Sequence, residues 1–416
     1  MKKRISAIIL ALGICITNSL HVFADTTTST SKGPDLVGKS AISYDLDTKE
    51  LIYTKNIDQK SYPASITKLL TALIFAENKT ANDTLTYTQS AFNQPPYSYR
   101  LNVHPVNVGA EISAKDAMDA LLLFSGNDIA YMIADNVSGD ATKFSEAMNK
   151  KAKELKMNNS NFITPNGLDD GTTNHYTTAY DLTKLAEACY NNPWVKESMA
   201  KKESQVSFIN GSKAVLTNRN KLVQTDGCIG GKTGYTQKAG RCLVALYERN
   251  GRHLVGVVMN SNYNYPQDTI VFDDMKKLMD WSFSAKKDTI IKKNATLTTV
   301  KVPYKVLPLV GPTRTLEVPV QVNEDITYYS NDLKPEKQFK FNTLSAWNLS
   351  KDKSIGTLKL TQKDNVKEFK VYPTISKIEI LKDNILIYSG VLLVVVVLIL
   401  GIVFLIRYIG SRRNFY

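Results

Sequence analysis

Tyr62-Pro63-Ala64-Ser65-Ile66-Thr67-Lys68-Leu69-Leu70-Thr71-Ala72-Leu73-Ile74 is the stretch whose reading decides the rest. Ile66, Leu69, Leu70, Leu73 and Ile74 recur at helical spacing and predict an amphipathic helix. Pro63 suits its first turn, where a missing N–H costs nothing. Ser65 then falls near the helix N-terminus, where free N–H groups and the dipole favour developing negative charge. Lys68 follows at i+3, a neighbour on the helix surface. A hydroxyl beside an amine is one way to build an activated serine. Ser-x-x-Lys also arises by chance, and Lys68 lies off the apolar stripe, as a solvated lysine would. The catalytic reading requires another part of the chain to cover the pair.

The two ends set the compartment. Lys2, Lys3 and Arg4 precede the apolar run Ile5 to Ile16, and Val22-Phe23-Ala24 offers a cleavage site, so residues 1–24 read as a secretory signal. Ile385 to Ile406 is uncharged and reaches about 33 Å as a helix, enough for a bilayer core. Arg407, Arg412 and Arg413 follow it, which predicts a cytoplasmic tail at 407–416 by the positive-inside rule. The expected topology is a single-pass membrane protein with its body outside the cytoplasm.

With 43% hydrophobic and 22% charged residues, the chain is folded, and 416 residues favour more than one domain. Its formal charge of +13 suits a membrane surface or an anionic polymer outside the cell. No recognition helix or basic-aromatic platform is present, so nucleic acid is not an expected partner. Cys15 leaves with the signal. Cys189, Cys228 and Cys242 remain, an odd number without metal-ligand spacing. A Cys228–Cys242 bridge stays open, although a small buried hydrophobe is the simpler role for Cys228. The scattered histidines give no metal site, and no cofactor is expected.

Along the body, Ser40 to Tyr53 reads as a hairpin, and 80–108 as loops and short strands. Ser113 with Asp116 caps a helix from Ala114 to Phe124. Ser125-Gly126-Asn127 interrupts the helical stripe, which resumes through Ile129, Ile133 and Val137. Further helices are expected over 144–155, 181–190 and around Phe272 to Trp281. Cys242 to Tyr247 and Leu254 to Met259 are β-rich and joined by Asn250-Gly251, which predicts adjacent antiparallel strands. From Lys286 the pattern alternates as half-exposed strands, so 286–383 is expected to be a separate all-β domain before the span. The fold class is α+β.

Ser65-x-x-Lys68, Ser125-Gly-Asn127 and Lys232-Thr233-Gly234 now stand in order along one extracytoplasmic region. Such a trio marks penicillin-binding proteins and serine β-lactamases, with an aspartate where Gly126 stands here. Together with Pro-Asn-Gly-Leu-Asp at 165–169 and Gly-Lys-Thr-Gly-Tyr-Thr at 231–236, it makes the chain resemble the D-alanyl-D-alanine carboxypeptidases, the low-molecular-mass penicillin-binding proteins. The resemblance covers about residues 34–285. It implies a penicillin-binding/β-lactamase-like catalytic domain, an antiparallel sheet packed with helices. The trailing β-rich domain and membrane attachment are also family-like, although many members use an amphipathic anchor instead of a full span.

The resemblance implies a peptidoglycan stem peptide ending in D-Ala-D-Ala as substrate, β-lactam antibiotics as acylating inhibitors, and membrane lipid as a further partner. Ser65 is the expected nucleophile. Lys68 is the expected base, kept neutral by burial and by a second cation, Lys232. Ser125 is expected to relay a proton to the leaving amine, and Asn127 to bond the substrate amide and the lysine. Lys232 and Thr233 are expected to hold the terminal carboxylate, with Gly234 letting substrate lie against the strand. Backbone N–H groups of Ser65 and Tyr235 complete an expected oxyanion hole. One departure stands out: some relatives carry an arginine after the last strand that helps bind the carboxylate, and residues 259–270 contain none.

Three rivals share these residues. A β-lactamase needs a deacylating base, for which Glu154-Leu155-Lys156-Met157-Asn158 is a near match at a helix end. An endopeptidase acting on cross-links would use the same site. A non-catalytic wall-binding or antibiotic-sensing protein would need an output segment that ten residues after Ile406 hardly provide.

Overall fold

The computed structural model describes residues 33–95, 106–208, 213–307 and 310–413. The expected signal, and part of the loop expected over 80–108, lie outside the described residues. Two compact units emerge: Thr28–Asp288 with Tyr328–Lys334, and Thr289–Thr327 with Pro335–Tyr416. Composition places the change at Lys286; the structure divides the chain at Thr289 and gives Tyr328–Lys334 back to the first unit. There Asn331 Nδ2 donates to Leu51 O at 2.8 Å and the Asp332 N–H to Thr54 Oγ1 at 3.1 Å. Side-chain and backbone bonds of this kind are not visible in an alternation pattern.

The first unit is built on a five-stranded antiparallel sheet in the order Leu51–Lys55, Ser40–Asp45, Arg252–Ser261, Gly240–Arg249, Cys228–Thr236. Both faces are covered, so alternate residues go to two different cores. Val244, Leu246, Val255 and Val257 face the main helical layer. Leu243, Ala245, Leu254 and Val258 pack on Val271, Met275, Leu278 and Met279 of the helix Ile270–Ser284. Each such side chain, fully buried, contributes roughly 1.5–3 kcal/mol. The expected hairpin at Asn250-Gly251 is present, both residues having positive φ (51° and 74°), as a two-residue turn requires.

The helix read from the opening stretch differs from expectation. A tight turn, Ala64–Thr67, precedes an α-helix that starts only at Lys68 and runs to Asn78. Residues Lys68 to Phe75 are all buried. This helix is flanked by Asn127–Ser138, Ala141–Glu154, Ala179–Asn191 and Pro193–Met199. The stripe therefore does not separate a wet face from a dry one; neighbouring helices cover Lys68 as well. Cys189, Cys228 and Cys242 are buried free thiols, so the Cys228–Cys242 bridge does not form.

The second unit carries a five-stranded sheet in the order Thr296–Lys305, Thr313–Gln321, Asn365–Pro373, Gly356–Gln362, Glu336–Phe341. The helix Ile385–Arg413 follows, long and apolar enough to cross a membrane. Its root is tied down: Asn384 accepts from Arg314 at 2.7 Å and donates to Tyr304 at 2.9 Å, and the Tyr388 hydroxyl donates to Val306 O.

Candidate active site

The Ser65 turn is held in an unfavourable shape. Ala64 has φ +46°, a left-handed conformation that costs a residue with a Cβ roughly 1–2 kcal/mol. Two glycine backbones clamp it. A Cβ on Gly167 (φ +86°) would lie 1.8 Å from Ala64 O, and one on Gly234 would lie 2.9 Å from Pro63 O and 3.2 Å from Ile66 N. Gly234 therefore serves the protein's own backbone: it lets the strand Cys228–Thr236 press against the serine turn. The expectation had assigned that space to substrate.

Lys68 lies directly below. Its Nζ donates to Ser65 Oγ at 2.8 Å, Asn127 Oδ1 at 2.7 Å and Asn166 O at 2.8 Å. The side chain is fully buried. Burial pushes its pKa well below the usual lysine value, the Arg219 guanidinium pushes the same way, and Asp128 opposes both. A neutral amine has two N–H groups and one lone pair. Asn127 and Asn166 take the two donors, which leaves the lone pair for the Ser65 hydroxyl proton. The cation that bears on Lys68 is Arg219, where the sequence reading named Lys232.

Ser125 reaches the site through a local irregularity. The helix from Ala114 widens over Ala120–Phe124, so that the Gly126 N–H bonds Ala120 O at 3.2 Å. Such widened turns recur at functional sites. Ser125 itself has φ +72°, and the next helix, Asn127–Ser138, starts at once. Asn127 is thereby buried against Lys68 while Ser125 stays half-exposed.

A cleft of about 840 Å³ opens over these groups, lined among others by Ser65, Ser125, Asn127, Thr233, Gly234 and Tyr235. Lys232 is buried, and its Nζ donates to Thr233 O at 3.0 Å. Burial depresses its pKa well below the usual value, as do Lys68, Arg219 and Arg241. Seven of the eight sequence-predicted residues thus meet at or immediately under one cleft, with Lys232 buried behind Thr233. Glu154 does not join them: it pairs with Lys151 at 2.7 Å on an exposed helix end. No cluster of potential metal ligands occurs among the described residues.

Sequence reasoning missed several members. Asn166 contributes a backbone carbonyl, signalled only by an Asn-Gly turn. Its loop is braced by Thr236 Oγ1 donating to Asp169 at 2.6 Å and Lys238 Nζ to Asp169 O at 3.0 Å. Arg219 lines the cleft, 4.7 Å from the Phe124 ring, and Arg241 and Asp268 line its rim. His175 sits under the turn, its Nε2 3.0 Å from Thr67 Oγ1.

Comparison with known proteins agrees with this geometry. The sequence model of the peptidase S11 family, D-alanyl-D-alanine carboxypeptidase, matches residues 26–263. The D-alanyl-D-alanine carboxypeptidase DacF of Bacillus subtilis is 26% identical over 370 residues, 88% of this chain and 92% of the relative. A D-alanyl-D-alanine endopeptidase of Escherichia coli is 32% identical over 67% of this chain and 88% of its own length. Among solved structures, a D-alanyl-D-alanine carboxypeptidase from Mycobacterium tuberculosis superposes with a TM-score of 0.57 at 28% identity, covering 63% of this chain and 97% of that one. Penicillin-binding protein D2 from Listeria monocytogenes, in its ampicillin-bound form, gives 0.53 at 26% identity over 60% of this chain and 100% of that one. The fold and the paired serine and lysine define a penicillin-binding-protein-like serine hydrolase. The chain belongs to the D-alanyl-D-alanine carboxypeptidase family.

Proposed function

We propose that this chain is a membrane-anchored serine D-alanyl-D-alanine carboxypeptidase that removes the terminal D-Ala from peptidoglycan stem peptides. The observation that carries the reading is the contact of Lys68 Nζ with Ser65 Oγ at 2.8 Å, with the amine buried and two acceptors already assigned. Ser65 Oγ attacks the penultimate carbonyl carbon while its proton passes to Lys68. The backbone N–H groups of Ser65 and Tyr235 receive the oxyanion, and one such donor is worth about 10²–10³ in rate. The C–N bond then breaks, Ser125 passes its proton to the departing amine and takes up the one held by Lys68, and D-alanine leaves. Water attacks the acyl-enzyme, its proton restores the Ser65 hydroxyl, and the shortened peptide departs.

Asn127 holds the substrate amide, and Lys232 with Thr233 the carboxylate end. β-Lactams acylate Ser65 as substrate mimics. Residues 1–24 export the body, 385–406 span the membrane, and 407–416 stay in the cytoplasm. The β unit serves as a stalk between body and span. The test is D-alanine release by the full chain in detergent from an acylated Lys-D-Ala-D-Ala peptide. Ser65→Ala should abolish both release and covalent labelling by penicillin. Release that survives in Ser65→Ala would sink the assignment. A cross-link endopeptidase is the second reading, favoured by relatives with that name at 32% and 30% identity. Cleavage of cross-linked dimers without release from the linear peptide would select it.

A further inference from the structure

The arginine that some relatives place after the last strand is absent, yet a guanidinium stands at the rim of the same cleft. Arg241, on the strand Gly240–Arg249, is the register partner of Tyr235. Its Nε donates to Asp268 Oδ1 at 2.7 Å, and its Nη2 to Asp268 Oδ2. A guanidinium has two edges that can grip a carboxylate with paired N–H groups. Asp268 fills the Nε/Nη2 edge. On the other edge, Nη1 donates one long hydrogen bond to Gly234 O at 3.5 Å, which leaves its second N–H beside that of Nη2. That edge adjoins Gly234 and therefore Thr233, and Arg241, Asp268 and Gly234 all line the cleft.

Asp268 is itself fixed. Its backbone is left-handed (φ +47°), its N–H donates to Asn264 O at 2.8 Å, and its carbonyl accepts from Lys221 Nζ at 3.0 Å. The Tyr263 ring lies 5.6 Å from Arg241 Cζ. The guanidinium is thus oriented before any ligand arrives, with little left to order on binding.

We propose that Arg241 receives the terminal carboxylate of the leaving D-amino acid on its Nη1/Nη2 edge, and that Asp268 is the positioning residue that turns this edge into the cleft. The assignment rests on the carboxypeptidase reading and supplies the carboxylate contact that residues 259–270 lack. Lys232 offers a compact point charge, whereas the arginine fork reads a planar carboxylate and sets its direction.

The experiment compares matched pairs on the full chain: the acylated Lys-D-Ala-D-Ala peptide with its C-terminal amide, and a penicillin with its methyl ester. Two charge-assisted hydrogen bonds correspond to a preference for the carboxylate member of roughly 100-fold in kcat/KM. Arg241→Gln should lose most of that preference, dropping the carboxylate member about 30–100-fold while the amide or ester stays within about threefold. Arg241→Lys should keep attraction without the fork and fall between them. Asp268→Asn should raise KM for the carboxylate peptide about tenfold with kcat nearly constant. Equal losses on both members of a pair would mean that Arg241 only braces the rim, and unchanged preference would place the carboxylate elsewhere; either overturns the proposal. If penicillin labels Ser65 but no D-alanine is released, the carboxypeptidase reading fails. The penicillin and ester pair then decides for or against Arg241 alone.

Discussion

Lys68 and Lys232 are the same residue type and both fully buried, yet their surroundings differ. Lys68 has three oxygen acceptors at 2.7–2.8 Å, one of them the Ser65 hydroxyl. Lys232 has one hydrogen-bond acceptor among the described residues, the neighbouring Thr233 carbonyl. Burial lowers the pKa of both amines, and Lys68 adds to the effect on Lys232, so each gives up its proton more readily than a free lysine. Lys68 is organised to give up that proton, since its two remaining N–H groups and its lone pair all have assignments. Lys232 keeps N–H groups to offer, which an incoming anion can fill. In the proposed mechanism, environment alone divides a base from an anion holder.

The largest effect that can break this contrast is on the base. Lys68→Gln should slow penicillin acylation and D-alanine release about 10³–10⁴-fold, with substrate KM little changed. Lys232→Gln should cost less, about 10–10²-fold in kcat/KM, and mostly through KM. If the two substitutions exchanged these signatures in steady-state and single-turnover assays, the division of roles would be reversed.

A smaller effect sharpens it. Lys68 must be neutral to act, so acylation should rise with pH through its lowered pKa and fall on the acid side. Arg219 adds to burial in holding that pKa down. Arg219→Gln removes a cation, lets Lys68 hold its proton to higher pH, and should move the acid limb of the acylation profile upward. The limb should stay in place if burial alone sets it. The pH dependence of penicillin acylation reads this directly.

How much of this was legible depends on what each residue's role requires. The roles proposed for Ser65, Lys68, Ser125, Asn127, Lys232 and Thr233 belong to side chains inside short contiguous motifs, and their order along the chain exposes them. The paired strands Gly240–Arg249 and Arg252–Ser261 were equally readable from alternation and the Asn250-Gly251 turn. Burial of Lys68 was not, because periodicity describes one helix, whereas the neighbours that cover its far side come from distant sequence. Gly234 was marked as a close approach, but only packing reveals that Pro63, Ala64 and Ile66 make it. Asn166 acts through a carbonyl that any residue carries. Arg219, Arg241 and Asp268 lie outside any motif, and loop closure alone brings them to the cleft.

The two sides of the site also differ in what they stand on. Beneath the Ser65 turn lies a titratable ring: His175 Nδ1 accepts from the Ile163 N–H at 3.0 Å, so Nε2 carries the hydrogen and donates to Thr67 Oγ1. The ring meets Phe162 edge-on at 5.7 Å, and burial lowers its pKa from 6.5 to about 4. The unfolded chain takes up a proton here as pH falls through 6.5, and the folded chain only near 4. Stability is therefore full above about 6.5 and is lost progressively as pH drops toward 4, by about 3 kcal/mol in all. A proton on Nδ1 would also oppose the Ile163 N–H and disturb the support of Thr67, one residue from Lys68. Urea unfolding and penicillin acylation should consequently decline together between pH 6.5 and 4. His175→Gln should lower stability at pH 7 but flatten this part of its pH dependence. An unchanged slope in the variant would assign the acid sensitivity to other groups and leave the Ser65 side with no titratable support.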